Sequence, residues 1–160
     1  MQWMRHFLPV LTPAHRALLR LSRGALGGRG LGYRFLLLDH VGRRSGALRS
    51  TPLLYVEHEG RYLVVASNAG QDHHPAWWLN LQARPDASVQ IDGHTLPVRA
   101  RQAGPEEAPR LWPVVIAAFR QFESYRQGTD REIPLVVLEP DAALRRAAPS
   151  TSARASGTTE

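Results

Sequence analysis

Leu36-Leu37-Leu38-Asp39-His40-Val41-Gly42-Arg43-Arg44-Ser45-Gly46-Ala47-Leu48-Arg49-Ser50-Thr51-Pro52 decides the reading of this chain, and Leu53-Leu54-Tyr55-Val56 follows at once. Two apolar runs flank a glycine-framed basic turn, the pattern of strand, turn, strand. Gly42 and Gly46 admit backbone conformations closed to other residues. Between them, neighbouring N–H groups and the Ser45 hydroxyl form a concave anion trap. Arg43, Arg44 and Arg49 add guanidinium forks that match phosphate or carboxylate in pairs. A solvated hairpin tip that happens to be basic explains these residues as well.

Working outward, Tyr33 to Val41 and Thr51 to Glu57 read as the strands beside the turn. Glu59-Gly60 turns the chain into Tyr62 to Ser67, and Asp92-Gly93 joins Ala87–Ile91 to Thr95–Ala100, a strong two-residue hairpin signal. Ile133 to Glu139 is a last apolar strand. Six or seven short strands with tight turns predict an antiparallel barrel or sandwich with flanking helices, an α+β chain that is mainly β. His74 to Leu81 opens with proline at a helix start. From Pro105, the residues Ala108, Leu111, Trp112, Val115, Phe119 and Phe122 trace a helical apolar stripe, limited or kinked by Pro109 and Pro113.

The chain has 160 residues, 43% of them apolar, and a formal charge of +6 carried by arginine without lysine. That is one globular domain with a real core. The positive balance favours anionic partners. The arginines are scattered and accompany no nucleic-acid motif, so nucleic acid is not expected. Absence of cysteine excludes disulfides, thiolate metal sites and a cysteine nucleophile. His73-His74 lacks partners at ligand spacing, so no metal is expected. No run reaches a bilayer span and no full signal peptide opens the chain, which points to a cytoplasmic protein.

Residues 1–28 read as a basic amphipathic helix, started by Thr12-Pro13, and a glycine-rich joint; packed helix, lid and peripheral membrane contact all remain open for it. Residues 29–140 form the main domain, and 141–160 read as a disordered tail. Ser67-Asn68-Ala69-Gly70 ends a strand in small polar residues where a ligand can approach backbone. Trp77, Trp78, Phe119, Phe122 and Tyr125 fit a core, or, beside a basic turn, a planar aromatic ligand with an anionic tail.

Gly42-Arg43-Arg44-Ser45-Gly46, Arg49 to Tyr55, Ala66 to Gly70, His74 to Leu81, Ala83-Arg84-Pro85, Leu111-Trp112-Pro113 and Thr129 to Pro140 together resemble the deazaflavin-dependent nitroreductase family. The resemblance implies a split β-barrel of the FMN-binding-like type. It implies coenzyme F420, an 8-hydroxy-5-deazaflavin, as hydride donor to a hydrophobic acceptor such as a quinone, enone or nitroaromatic. By that analogy Arg43, Arg44 and Ser45 hold the phosphate and acidic tail, with Arg49 beside them. Ser50, Thr51, Pro52, Leu53 and Leu54, with Val65, Ala66, Ser67 and Asn68, frame the ring. Ala76, Trp77, Trp78, Leu79 and Asn80 complete the groove. Phe122 lies against the ring, while Leu54, Phe119, Phe122 and Tyr125 line the substrate side. The proton comes from solvent, Ser67 or Tyr125, a choice the sequence leaves open, and a homodimer is allowed.

Three positions depart from the resemblance. Phe119 and Phe122 stand where nitroimidazole-reducing members carry tyrosine, and Asn68 stands where they carry lysine. A pocket lined by both phenylalanines and both tryptophans therefore favours quinone-like or enone acceptors over bicyclic nitroimidazoles. The alternatives are an FMN-dependent split-barrel oxidoreductase and a non-catalytic flavin carrier or anionic-ligand binding protein.

Overall fold

Period-two alternation organises the sheet. In β2 (Tyr33–Val41), Leu36, Leu38 and His40 share one face, and β3 (Leu48–Leu54) returns beside it with Leu36 opposite Leu53, Leu38 opposite Thr51 and His40 opposite Arg49. The structure, a computed structural model, describes residues 29–30 and 33–143. The remaining strands are β1 (Arg29–Gly30), β4 (Val56–His58), β5 (Arg61–Val65), β6 (Asp86–Ile91), β7 (His94–Gln102) and β8 (Leu135–Pro140). Their hydrogen-bonded order is β1-β2-β6-β7-β8-β5-β4, with β3 attached to β2 and every pairing antiparallel. This is the expected antiparallel split barrel. The expected strand Thr51–Glu57 divides at Tyr55 into two strands, although the Tyr55 amide still donates in register to the Arg34 carbonyl of β2 at 3.2 Å.

The curled sheet carries a core on each face. Leu36, Leu38, Val64, Val89, Val98, Val136 and Leu138 fill the concave one, capped by α1 (Ala76–Ala83) through Trp77, Trp78 and Leu81. Leu63, Val65, Leu135 and Val137 point the other way, under α2 (Ala108–Ala118) and α3 (Gln121–Gln127). Each fully buried leucine or valine contributes about 1.5–3 kcal/mol. The apolar stripe from Ala108 to Phe122 spans two helices rather than one. Phe119, with φ −141°, breaks the first, and both helices cover the same core. Pro113 lies inside α2, which continues through it.

Alternating strand directions gather the turn 42–47, the loop 66–75, α1 and the segment 128–134 at one end of the barrel. The Glu59-Gly60 and Asp92-Gly93 hairpins occupy the other, with φ of 50° and 72°, then 47° and 83°, as tight right-twisted turns require. β8 runs to Pro140, and the Asp141 amide donates to the Pro97 carbonyl at 3.0 Å. The helix and joint expected over residues 1–28, and the tail beyond 143, lie outside the described residues. No helix among the described residues is long and apolar enough to cross a membrane.

Candidate functional site

The basic turn is built differently from the anion trap its glycines imply. Gly42 N–H donates to the Ala47 carbonyl, Gly46 N–H to the Gly42 carbonyl, Ala47 N–H to Ser45 Oγ and Arg43 N–H to Asn80 Oδ1. Among the turn amides, only those of Arg44 and Ser45 have no acceptor among the described residues. Gly46 needs its left-handed φ of +69°; Gly42 needs space, because a Cβ there would meet Ser45 Oγ at 2.8 Å and Arg49 Nε at 3.0 Å. The donors left for an outside acceptor are therefore chiefly side chains, with the Arg44 and Ser45 amides beside them. Arg44 and Arg49 form no ion pair among the described residues, whereas Arg43 spends a guanidinium N–H on Asn80 Oδ1 at 3.3 Å.

Asn80, buried on α1, links that turn to the barrel. Its Nδ2 lies 3.2 Å from His40 Nδ1, and His40 Nε2 lies 3.0 Å from Thr51 Oγ1. Burial lowers the His40 pKa, opposed by Asp39 and reinforced by Arg49. Sequence reasoning gave His40 no role. The available signal was a histidine on the inward side of the Leu36–Leu38 alternation. On the opposite face of β3, the Ser50 hydroxyl donates to Asp39, which also accepts from Gln90. The run Ser50–Leu54 thus divides by strand period: Arg49, Thr51 and Leu53 lie on the concave face, and Ser50, Pro52 and Leu54 on the other.

The loop after β5 is strained and clamped. Asn68, Ala69 and Gly70 have φ of 47°, 55° and 76°, a left-handed run that costs about 1–2 kcal/mol for each residue with a Cβ. Asn68 Nδ2 stays inside the loop, donating to Gln71 Oε1 and the His73 carbonyl, both at 3.1 Å. Arg131 holds the loop from the far end of the chain. Its guanidinium donates to the carbonyls of Ser67 at 2.6 Å, Gln71 at 2.7 Å and Ala66 at 3.2 Å, and to His74 Nδ1 at 3.2 Å. His74 accepts there as a neutral ring, its pKa lowered by burial and by Arg131. Arg131 was part of a matching segment but had been assigned no role, since a donor to carbonyls 60 residues away leaves no local pattern.

The aromatic residues do not line one pocket. Trp77 and Trp78 sit in the concave core with their rings 6.4 Å apart, and Trp78 Nε1 is enclosed without an acceptor. Tyr33, Phe119, Phe122 and Tyr125 form a ladder on the other face, with centroid steps of 5.5, 5.9 and 6.2 Å. Phe119 is 5% exposed and Phe122 6%, so both are core rings; the expected four-ring wall is replaced by two separate clusters on opposite sides of the sheet. Tyr125, half-buried, reaches the loop, its Cδ1 lying 3.4 Å from where a Gly70 Cβ would stand. Burial raises the Tyr125 pKa, which keeps the phenol protonated. A broad depression of about 740 Å³ beside Trp112, Ile116, Arg126 and Ile133 lies on the helical side, away from the basic turn.

β3 and β5 face each other without a ladder, and this opening is the split of the barrel. β3 pairs only with β2, and the β4 ladder covers β5 only from Arg61 to Leu63, leaving Val64 and Val65 unpaired on that side. Residues 12–140 match the profile of a family described as F420H(2)-dependent quinone reductase. The chain belongs to that family. Its members are F420H2-dependent oxidoreductases, which agrees with the resemblance seen in the sequence. The F420H(2)-dependent quinone reductase Rv1261c of Mycobacterium tuberculosis (strain ATCC 25618 / H37Rv) is 33% identical over 142 residues, 86% of this chain and 95% of that protein. A solved F420-H2 dependent reductase (FDR-A) is 37% identical with a TM-score of 0.61, covering 66% of this chain and 93% of its own. Another solved structure, described as a domain-swapped dimer, is 34% identical with a TM-score of 0.64, covering 79% of this chain and 96% of its own.

Proposed function

We propose that this chain reduces a hydrophobic, quinone-like acceptor with F420H2, and that the coenzyme lies along the opening between β3 and β5. The observation that carries the reading is the composition of that opening. At the functional end stand two guanidiniums, Arg44 and Arg49, with no ion-pair partner among the described residues, together with two amides without acceptors. Along its length run the unpaired edges of β3 and β5. This donor set fits a planar heterocycle with an anionic tail: the arginines take the tail, and the strand edges meet the polar rim of the ring. Bound there, reduced F420 supplies a hydride from its ring carbon.

The protein's own work is positioning and protection from water. Asn80 fixes the Arg43 turn, Arg131 fixes the backbone of Ala66 and Ser67, and α1 closes the concave side. At the loop, the Ser67 hydroxyl and the protonated Tyr125 phenol are the groups able to hand a proton to an acceptor oxygen. Self-association is part of the proposal, since one solved relative is described as a dimer; light scattering at assay concentration reads it.

The test is fluorescence titration with coenzyme F420 and with FMN, followed by reoxidation of F420H2 with a menadione-type quinone. Saturable F420 binding and quinone-dependent reoxidation support the reading. Tight FMN binding without F420 binding overturns it in favour of the FMN enzyme. F420 binding with no acceptor turnover supports a carrier.

A further inference from the structure

Three polar side chains are buried among the described residues, His40, Ser67 and Asn80, and two of them touch each other. Their protons can be assigned from donors alone. Arg43 offers Asn80 an N–H from the backbone and another from the guanidinium, so the Asn80 atom facing Arg43 must be oxygen. The atom facing His40 is then the NH2, a donor, and His40 Nδ1 must accept. A ring that accepts on Nδ1 and is neutral carries its proton on Nε2 and donates it to Thr51 Oγ1. The Thr51 hydroxyl, having accepted, keeps its own proton for an acceptor outside this chain of bonds. No such acceptor is present among the described residues.

We propose that His40 is a positioning residue for coenzyme binding: as the neutral Nε2–H tautomer it locks Asn80 onto the Arg43 turn and aims the Thr51 hydroxyl proton at the opening beside β3. The proposal rests on the reading of that opening as the coenzyme groove. It gives the site a pH dependence. Protonating His40 puts N–H groups of His40 and Asn80 face to face. Relief requires the Asn80 amide to turn over, which withdraws its oxygen from both Arg43 donors. The charged groups around the ring are Asp39 on its own strand, Arg49 opposite on β3 and Arg43 beyond Asn80; α1 contributes only the neutral Asn80, and β6 pairs with β2 through neutral Ser88, Val89 and Gln90. Burial dominates this balance and holds the ring neutral at physiological pH.

Nitrogen-15 spectra of the histidine rings at pH 7.5 read the tautomer directly, and fluorescence gives the F420 dissociation constant from pH 8 to 5 for the wild type, His40→Asn and His40→Gln. Asparagine places an oxygen near the Nδ1 position and preserves the Asn80 anchor; glutamine places its amide near Nε2 and preserves the Thr51 contact. The expected result is an Nε2–H ring. Wild-type affinity should drop on acidification, and His40→Gln should bind about tenfold more weakly, the size of one lost hydrogen bond. His40→Asn should stay closer to the wild type, and both variants should lose the extra acid sensitivity. Titration of the coenzyme itself cancels in the ratio of variant to wild type. A charged or Nδ1–H ring at pH 7.5 overturns the proposal even where neither variant folds. Variants that keep the wild-type affinity and slope also overturn it. Failure of the wild type to bind F420 at any pH instead overturns the coenzyme reading, and the ring spectrum still judges the tautomer.

Discussion

The two ends of the barrel are built on opposite principles. At one end, Glu59-Gly60 and Asp92-Gly93 close hairpins with local backbone geometry, and the strands beside them satisfy each other. At the other, local bonds within the turn 42–47 and the loop 67–73 are joined by distant ones. The turn 42–47 depends on Asn80 from α1, and the loop 66–74 depends on Arg131, while two arginines are left over. The hairpin end is held by neighbours in sequence, the end proposed for the coenzyme also by partners 37 to 65 residues away. Sites built on distant partners hold unfavourable backbone and unspent charge in place, which a hairpin cannot do.

The sharpest way to break the contrast is to remove the distant partner. Arg131→Ala should lower stability by about 2–4 kcal/mol through lost charged hydrogen bonds and abolish measurable F420 binding, by chemical denaturation and titration. Arg131→Lys should not restore binding, because an ammonium has no fork to span three carbonyls. The double variant Arg44→Ala, Arg49→Ala should do the reverse. With no ion pair to lose, the melting temperature stays put while F420 binding weakens by about 1.5–3 kcal/mol per arginine, and the wild-type salt dependence of affinity flattens.

The pocket argument drawn from Phe119 and Phe122 changes with the structure. Both rings are core, so tyrosine at either position buries a hydroxyl and should cost about 1–3 kcal/mol of stability. The quinone-to-nitroimidazole ratio of kcat/KM should move little, and a large gain in nitro reduction would restore these residues to the substrate wall. A finer comparison sets two glycines against each other. Gly93→Ala, at φ +83°, should cost about 1 kcal/mol and leave binding alone. Gly42→Ala should displace the Arg49 guanidinium and weaken F420 binding with a smaller loss of stability.

The smallest effect belongs to the ion network that ties α2 to the sheet. Glu107 accepts from Arg101 and Arg61, chiefly Arg101, which pulls its pKa down to about 2. A depressed carboxylate pKa adds stability above its ordinary value and loses it as pH falls toward the folded one. Acid unfolding between about pH 4.5 and 2 should therefore be shallower in Glu107→Gln, which starts about 0.5–1 kcal/mol less stable at pH 7 after solvent screening.

Much of this was legible in advance because strands announce themselves by alternation. Tyr33–Val41 was bounded correctly, and Asp92-Gly93 fixed its hairpin by turn chemistry alone. The break at Phe119 is hidden because both helices face one core, so Val115, Phe119 and Phe122 keep apparent helical spacing across it. The sequence shows the basic turn but not what its amides bond; their acceptors come partly from Asn80, which no local pattern links to Arg43. His40 and Arg131 escaped for the same reason. Fold was written in short-range periodicity, and the site in long-range hydrogen bonds.

Arg131 also sets a schedule. A chain emerging from the ribosome presents the turn 42–47 and its partner Asn80 well before residue 131 is made. The carbonyls of Ala66, Ser67 and Gln71 have no clamp until residue 131 arrives, and β8, which immediately follows, supplies the strand beside β5. Closing the sheet beside β5 and clamping the left-handed loop thus both wait on residues 131–138, so under the proposed reading a chain stopped short of them has its arginine turn but no finished seat for the coenzyme ring.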